Sequence, residues 1–435
     1  MRIGINILAK LPTTLFLIVS ANVLIVYNHL YTATLYYQHP SVFVIDDPVF
    51  VIVFLLLCSW QFILYKQCKN LPSTIIVTLM CFLLVAPVVL LPFFNKNFNL
   101  LDYIPQILVL LTSIHLIVFT SSFRIGTKGL RGVRVSRFYF KVALVVLMVL
   151  GIVQLIVYFG EILSLNWGEM YDRRLLAREI FSQSLFLSYY NSFFGAVLIP
   201  FCALYGVVYN SKLVIALSII GAIFSFAAFG GKGVFFSPIL GILLGIYFKK
   251  TANNNFFRNM IFMLLIFLSL CLLEILVNDS VFLNFYGYRR MFCVPAKLTY
   301  QYWDYFSQNS VYLMSDSLLS SLFGGVEQEY PKARLIGGVY YGKYIMNANV
   351  NIFGTAYGDF GLIGMPIIAI FAGLTARIIN MIYLSKNSII VVAYSVFIGL
   401  VWTQGGFHTS FLSNGLIYSL ILLLFIPKVN KSIVA

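Results

Sequence analysis

Apolar runs of roughly 17 to 25 residues recur along the whole chain, and no other feature narrows its possible folds as much. As a helix, each run is long enough to cross about 30 Å of hydrocarbon with its backbone N–H and C=O groups bonded internally. With 61% hydrophobic and 10% charged residues among 435, too few polar side chains exist to cover a water-facing surface. Transmembrane β-strands read as alternating segments of about 10 residues, and these are absent. The sequence therefore predicts an all-α integral membrane protein.

Helices fall at about 11–31, 48–65, 72–92, 104–123, 141–159, 189–208, 213–230, 233–248, 259–277, 352–376, 388–404 and 410–426. That gives about 12 transmembrane helices in a single polytopic domain, 1–435, with both termini on one side and one large outward loop at 278–350. The first run reads as an uncleaved helix, because no small-residue cleavage pattern follows Leu30 and Tyr31. Of 29 Lys and Arg, 18 share one face, among them Lys66, Lys69, the run Arg124 to Lys141, Lys212, Lys249, Lys250 and Arg258, which makes that face cytoplasmic. All 14 acidic residues lie on or near the opposite face. The membrane thus accounts for the net charge of +15, and no nucleic-acid partner is implied. The basic loop 124–141 reads as an anchor without chemistry. The six cysteines form no CxxC pair and have no metal-like spacing to the four histidines, so neither a disulfide framework nor a metal site is indicated.

A transporter needs paired ionisable groups near the bilayer midplane, and the helix centres are nearly free of them. Polar intruders such as Asn22, Gln61, His115 and Gln154 are expected to hydrogen-bond between helices. Charge collects instead at the outer helix ends. The long loop opens on Tyr286-Gly287-Tyr288-Arg289-Arg290-Met291-Phe292, and an earlier outward segment carries Tyr171, Asp172, Arg173, Arg174 and Arg178, of which 171, 174 and 178 share a face if the run is helical. Lys232 sits in a tight Gly230-Gly231-Lys232-Gly233 turn. Arginine suits a diphosphate because its planar fork makes paired, charge-assisted hydrogen bonds. The plainer role is pairing with Glu161, Glu169, Asp172, Glu179 and Asp304, or snorkelling to lipid phosphates. His408 is either a general base or a polar cap, and Asp172, Glu169 and Asp304 are alternative bases. Asn347, Asn349 and Asn351 either cap the next helix or contact sugar hydroxyls. The aromatic run 296–323 suits a helix lying at the membrane interface, and the glycines from Gly354 to Gly364 suit close helix packing.

These residues resemble the bacterial oligosaccharide repeat unit polymerases (Wzy-type O-antigen polymerases). Tyr288-Arg289-Arg290-Met-Phe-Cys-Val-Pro295 followed by Tyr300-Gln-Tyr-Trp-Asp-Tyr-Phe306 is similar to the arginine, proline and aromatic run after a late helix in that family. Phe229-Gly-Gly-Lys232-Gly-Val-Phe resembles its Gly-x-Arg-Gly turn, with lysine where the family usually has arginine; the charge is kept and the paired geometry lost. Asn347-Ala-Asn349 through Gly364 and Tyr171-Asp-Arg-Arg174 resemble two further segments. The resemblance covers roughly 160–380 and implies a polyprenyl-dependent membrane glycosyltransferase in the bacterial inner membrane, inverting and metal-independent, with no cofactor and with 278–350 in the periplasm. Its implied partners are undecaprenyl-diphosphate-linked glycans as donor and acceptor, membrane lipid and a chain-length regulator protein, and its product is O-antigen for lipopolysaccharide. Arg289, Arg290, His408 and Asp172 would be catalytic, while Arg173, Arg174, Arg178, Lys232, Tyr171 and Asn349 would bind diphosphate and sugar, all meeting in one outward cavity. An O-antigen ligase or a flippase for the same lipid-linked oligosaccharide is the alternative.

Overall fold

The computed structural model of the chain describes residues 10–36, 47–95, 97–123, 135–182, 184–251, 255–278, 282–317, 320–324, 328–411 and 413–428. The chain ends and most of the basic loop 124–141 lie outside them. In chain order the helices are α1 (Lys10–Tyr36), α2 (Pro48–Gln67), α3 (Pro72–Phe93), α4 (Leu100–Ser121), α5 (Arg137–Ile162), α6 (Met170–Ser182), α7 (Leu187–Val208), α8 (Lys212–Phe229), α9 (Lys232–Thr251), α10 (Phe256–Asn278), α11 (284–308), α12 (Ser320–Phe323), α13 (Lys332–Tyr341), α14 (Ile352–Lys386), α15 (Ile389–Gln404), α16 (Phe407–Phe411) and α17 (Leu416–Phe425). Ten of these are long and apolar enough to cross a membrane, α15 and α17 are apolar but shorter, and no strand occurs among the described residues. Eleven of the twelve predicted runs lie on single helices, and the twelfth, 410–426, is divided between α16 and α17. The segment 278–350 is also largely helical, as α11, α12 and α13.

Three π-helical turns share one cause. They occupy Cys81–Val85, Phe193–Leu198 and Asn284–Cys293, and each ends two residues before a proline, at Pro87, Pro200 and Pro295. A proline has no N–H for the carbonyl four residues back and its ring crowds that carbonyl, so the preceding turn widens.

The chain divides into two compact units. The first comprises Met1–Phe123, Asn255–Arg377 and Gly399–Phe407. Its centre is α3, apolar on every side and buried along its length. The expected interhelical hydrogen bonds form at Asn22, Gln61 and His115, where Asn22 Nδ2 donates to Gln61 Oε1 at 2.6 Å and His115 Nδ1 lies 2.8 Å from Gln67 Oε1, whereas Gln154 Nε2 has no such partner among the described residues. Tyr300, Tyr302 and Trp303 of α11 are fully buried within the protein. Tyr300 and Trp303 pack against Phe98 and Tyr103, while Tyr302 packs on Phe306 and its Oη donates to the Ala348 carbonyl at 3.2 Å. Gly358 meets this helix closely, since a Cβ there would lie 3.0 Å from the Phe306 ring.

The second unit comprises Arg124–Asn254, Ile378–Ile398 and His408–Ala435. Here α7 is the buried element and packs against α8 and α9. Gly241 of α9 lets the two backbones approach, since a Cβ there would sit 2.9 Å from the Pro200 carbonyl oxygen. Large apolar side chains such as Val157, Leu213 and Leu243 remain on the outside, as a lipid-facing surface requires.

Candidate anion-binding site

Within the second unit, the end of α8 organises a cluster of cations. Gly230 ends that helix in the left-handed conformation (φ +62°), and a Cβ on it would stand 2.8 Å from the Met170 carbonyl oxygen. Glycine is needed there both for its φ and for the approach of α6. Carbonyls at the end of α8, which run out of partners inside the helix, are met in part from the turn and from neighbouring segments. Phe226 O accepts from Gly230 N (2.7 Å), Ala227 O from Ser164 N (3.2 Å), and Gly230 O from Arg174 Nη2 (2.9 Å). Arg174 is thereby fixed to the turn that presents Lys232.

The buried face of α6 is Met170, Arg173 and Ala177, spaced three and four apart. Arg173 is only 3% exposed, and its guanidinium carbon lies 5.7 Å from the Phe226 ring centroid. None of its three side-chain nitrogens has a hydrogen-bond partner among the described residues. The Lys232 ammonium stands 5.5 Å from the ring of Trp167, which in turn packs 4.8 Å from Phe226 and 6.1 Å from Phe235. Lys232 is also the first residue of α9, where unbonded N–H groups and the helix dipole favour an anion. Nearby carboxylates do not quench Arg173. Glu169 accepts from Asn166 Nδ2 (2.9 Å) and Ser164 Oγ (3.4 Å), and Asp172 is exposed. Arg173 and Lys232 therefore share one aromatic floor, with Arg174 tied to the turn beside Lys232, an arrangement fit for a phosphate-type anion. Tyr171 and Arg178 are positions on α6, but their side chains lie outside the described residues. The buried guanidinium thus belongs to Arg173, about 100° around the helix from the face shared by 171, 174 and 178.

Arg289 and Arg290 belong to the first unit, and they lie on the widened turn of α11 rather than in a loop. Glu274, at the end of α10, caps this turn, with Oε1 accepting from Leu283 N (2.8 Å) and Oε2 from Asn284 N (2.9 Å). Consecutive helical residues do not share a face. Arg289 folds back so that its guanidinium carbon lies 3.7 Å from the Phe285 ring centroid, while Arg290 is exposed. The two do not make one side-by-side fork.

The remaining expectations resolve singly. Asn351 is the helix cap, accepting from Phe353 N and Gly354 N at 3.0 Å, whereas Asn349 is exposed. His408 is half-buried on α16 in the second unit. Asp304 accepts from Tyr340 Oη at 2.5 Å and from Tyr103 Oη at 3.4 Å. Burial, with this bond to Asp304 second, holds the Tyr340 phenol above the usual tyrosine range.

Lys332 is a charged centre that the motifs did not single out. It is buried, and its Nζ pairs with Asp316 at 2.5 Å and with Asp359 at 2.6 Å. Asp359 Oδ1 also accepts from Met314 N (3.0 Å), while Tyr312 N and Leu313 N donate to the Gly358 and Asp359 carbonyls. The triad clamps residues 312–316 and α13 onto the end of a helical turn in α14. One signal was legible, since Asp359 is an ionisable residue inside a predicted span.

Comparison with known family models, with curated proteins and with solved structures returns no match. The helices define a multi-pass membrane protein, and its function has to be read from its own residues.

Proposed function

We propose that the chain binds a lipid-linked diphosphate at Arg173, Arg174 and Lys232, and that it is a polyprenyl-diphosphate-dependent glycosyltransferase that polymerises oligosaccharide repeat units at the outer face of the bacterial inner membrane. The observation that carries this reading is the buried Arg173 guanidinium, which has no hydrogen-bond partner among the described residues. A desolvated cation is costly unless an anion completes it. In the reaction the acceptor sugar hydroxyl attacks the anomeric carbon of the donor, forming the new glycosidic bond. The bond from that carbon to the diphosphate oxygen breaks, and its electron pair leaves on the diphosphate. Cations at the leaving group hold this charge more strongly in the transition state than in the ground state. The hydroxyl proton passes to a base, for which Asp172 and His408 are the candidates in this unit. Arg289 and Arg290 are the further cations that this reading assigns to lipid-linked substrate.

The test is deletion of the gene, followed by electrophoresis of the surface glycan and complementation. A polymerase deletion leaves a single repeat unit attached and no ladder, and Arg173→Ala fails to restore the ladder. Loss of all attachment indicates a ligase, and retention of the full ladder refutes the proposal.

A further inference from the structure

At the other end of α5, α8 and α9 lies a cavity of about 480 Å³, lined by Arg137, Lys141, Tyr205, Tyr209, Asn210 and Ser211 among others. This volume is within the roughly 300–1,000 Å³ of small-ligand sites. Arg137 lies over the Tyr209 ring, 4.6 Å from its centroid, and its Nη2 donates to the Tyr209 carbonyl at 2.5 Å. That bond uses one of five donors in the guanidinium fork. Lys249 adds a third cation at the same turn, donating to Asn210 Oδ1 at 3.2 Å.

Two observations point to an anionic occupant. Ser211 is the residue before α8, where a serine hydroxyl ordinarily accepts from an N–H of the first turn. Here it makes no such bond, and its Oγ is buried without a hydrogen-bond partner among the described residues. The hydroxyl and the start of α8 are thus both available to an acceptor. Secondly, no carboxylate pairs with these cations among the described residues. The acidic side chains in the sequence of this unit are Glu161, Glu169, Asp172 and Glu179. All follow Arg137 by at least the length of α5 less one residue, a helix on the order of 39 Å long.

We propose that this cavity binds a phosphate group, with Arg137 and Lys141 on its oxygens and the Ser211 hydroxyl donating to it. Its position at the start of a membrane-crossing helix places it at headgroup depth, so the phosphate is presented by an anionic phospholipid or taken up as a free ion. The site is separate from the cation cluster around Arg173 and is independent of the glycosyltransferase reading.

Native mass spectrometry of the full chain in detergent tests this, with added phosphatidylglycerol, diacylglycerol of the same tails, or inorganic phosphate. The expected result is preferential retention of one phosphatidylglycerol over diacylglycerol. Charge-assisted bonds to phosphate are lost, so affinity should fall at least about tenfold in Arg137→Gln/Lys141→Gln. Ser211→Asp should lose it equally while folding well, because aspartate is a good residue before a helix and a carboxylate there repels phosphate. Lys212→Gln/Lys250→Gln removes the same charge nearby without touching the cavity lining and should retain binding. Displacement of the lipid by inorganic phosphate would make the free ion the occupant. Equal binding of diacylglycerol, unchanged binding in the Arg137/Lys141 and Ser211 variants, or equal loss in Lys212→Gln/Lys250→Gln would overturn the proposal.

Discussion

Replacing Arg173 by methionine should stabilise the empty protein and abolish its response to ligand. The guanidinium is buried on the inner face of α6 with three nitrogens lacking hydrogen-bond partners among the described residues. Each such desolvated group costs about 1–3 kcal/mol, of which the contact with Phe226 returns about 0.5–2 kcal/mol. Replacing a buried charge by an apolar side chain of similar volume commonly gains about 1–4 kcal/mol. For a folding unit of roughly 150–250 residues that is about 2–4 °C per kcal/mol in unfolding temperature. The natural protein has the opposite response to ligand. At a concentration near 100 times its dissociation constant, undecaprenyl diphosphate should add about 2.7 kcal/mol. Thermal unfolding of the detergent-solubilised protein, with and without that lipid, reads both effects. A variant that unfolds at lower temperature than the natural protein, or one still stabilised by the lipid, would refute the reasoning.

Two other perturbations have defined outcomes. Lys332→Met leaves Asp316 and Asp359 facing each other without their cation and should cost about 3–5 kcal/mol, lowering the denaturation midpoint, with partial recovery when Asp359→Asn is added. The raised Tyr340 phenol sets an alkaline limit: its stabilisation is complete below about pH 10 and is lost as pH rises toward its folded value, because the unfolded chain gives up the proton first. Tyr340→Phe should therefore make the loss of stability above about pH 10 shallower, as measured by unfolding across that range.

The membrane class and every apolar helix were legible because both depend on local composition. A run such as 72–93 is apolar on all sides, and no tertiary partner is needed to recognise it. The three prolines were equally visible, but the widened turns before them were not read, and that altered the view of Arg289 and Arg290. Adjacent arginines in a loop can fork together, whereas on α11 they point apart. The cap that makes this segment helical comes from Glu274, across a chain reversal, and spacing alone does not reveal it. The basic cluster 171–178 was legible as a group of cations, but the phase of α6 was not. Met170, Arg173 and Ala177 face inward because Met170 packs on the Gly230 turn, a contact sixty residues apart in sequence. The lysine in the glycine turn was visible as a cation, while Trp167 and Phe226, which form its floor, carried no sequence signal beyond being aromatic.

The most direct measurement of the central claim is reconstitution of the purified full chain in nanodiscs with a single undecaprenyl-diphosphate-linked repeat unit as both donor and acceptor, with products resolved by electrophoresis. The glycosyltransferase account expects a ladder of lipid-linked polymer and release of undecaprenyl diphosphate from the natural protein, and neither from Arg173→Met. Unchanged starting material with the natural protein, or an equal ladder from the variant, would contradict it.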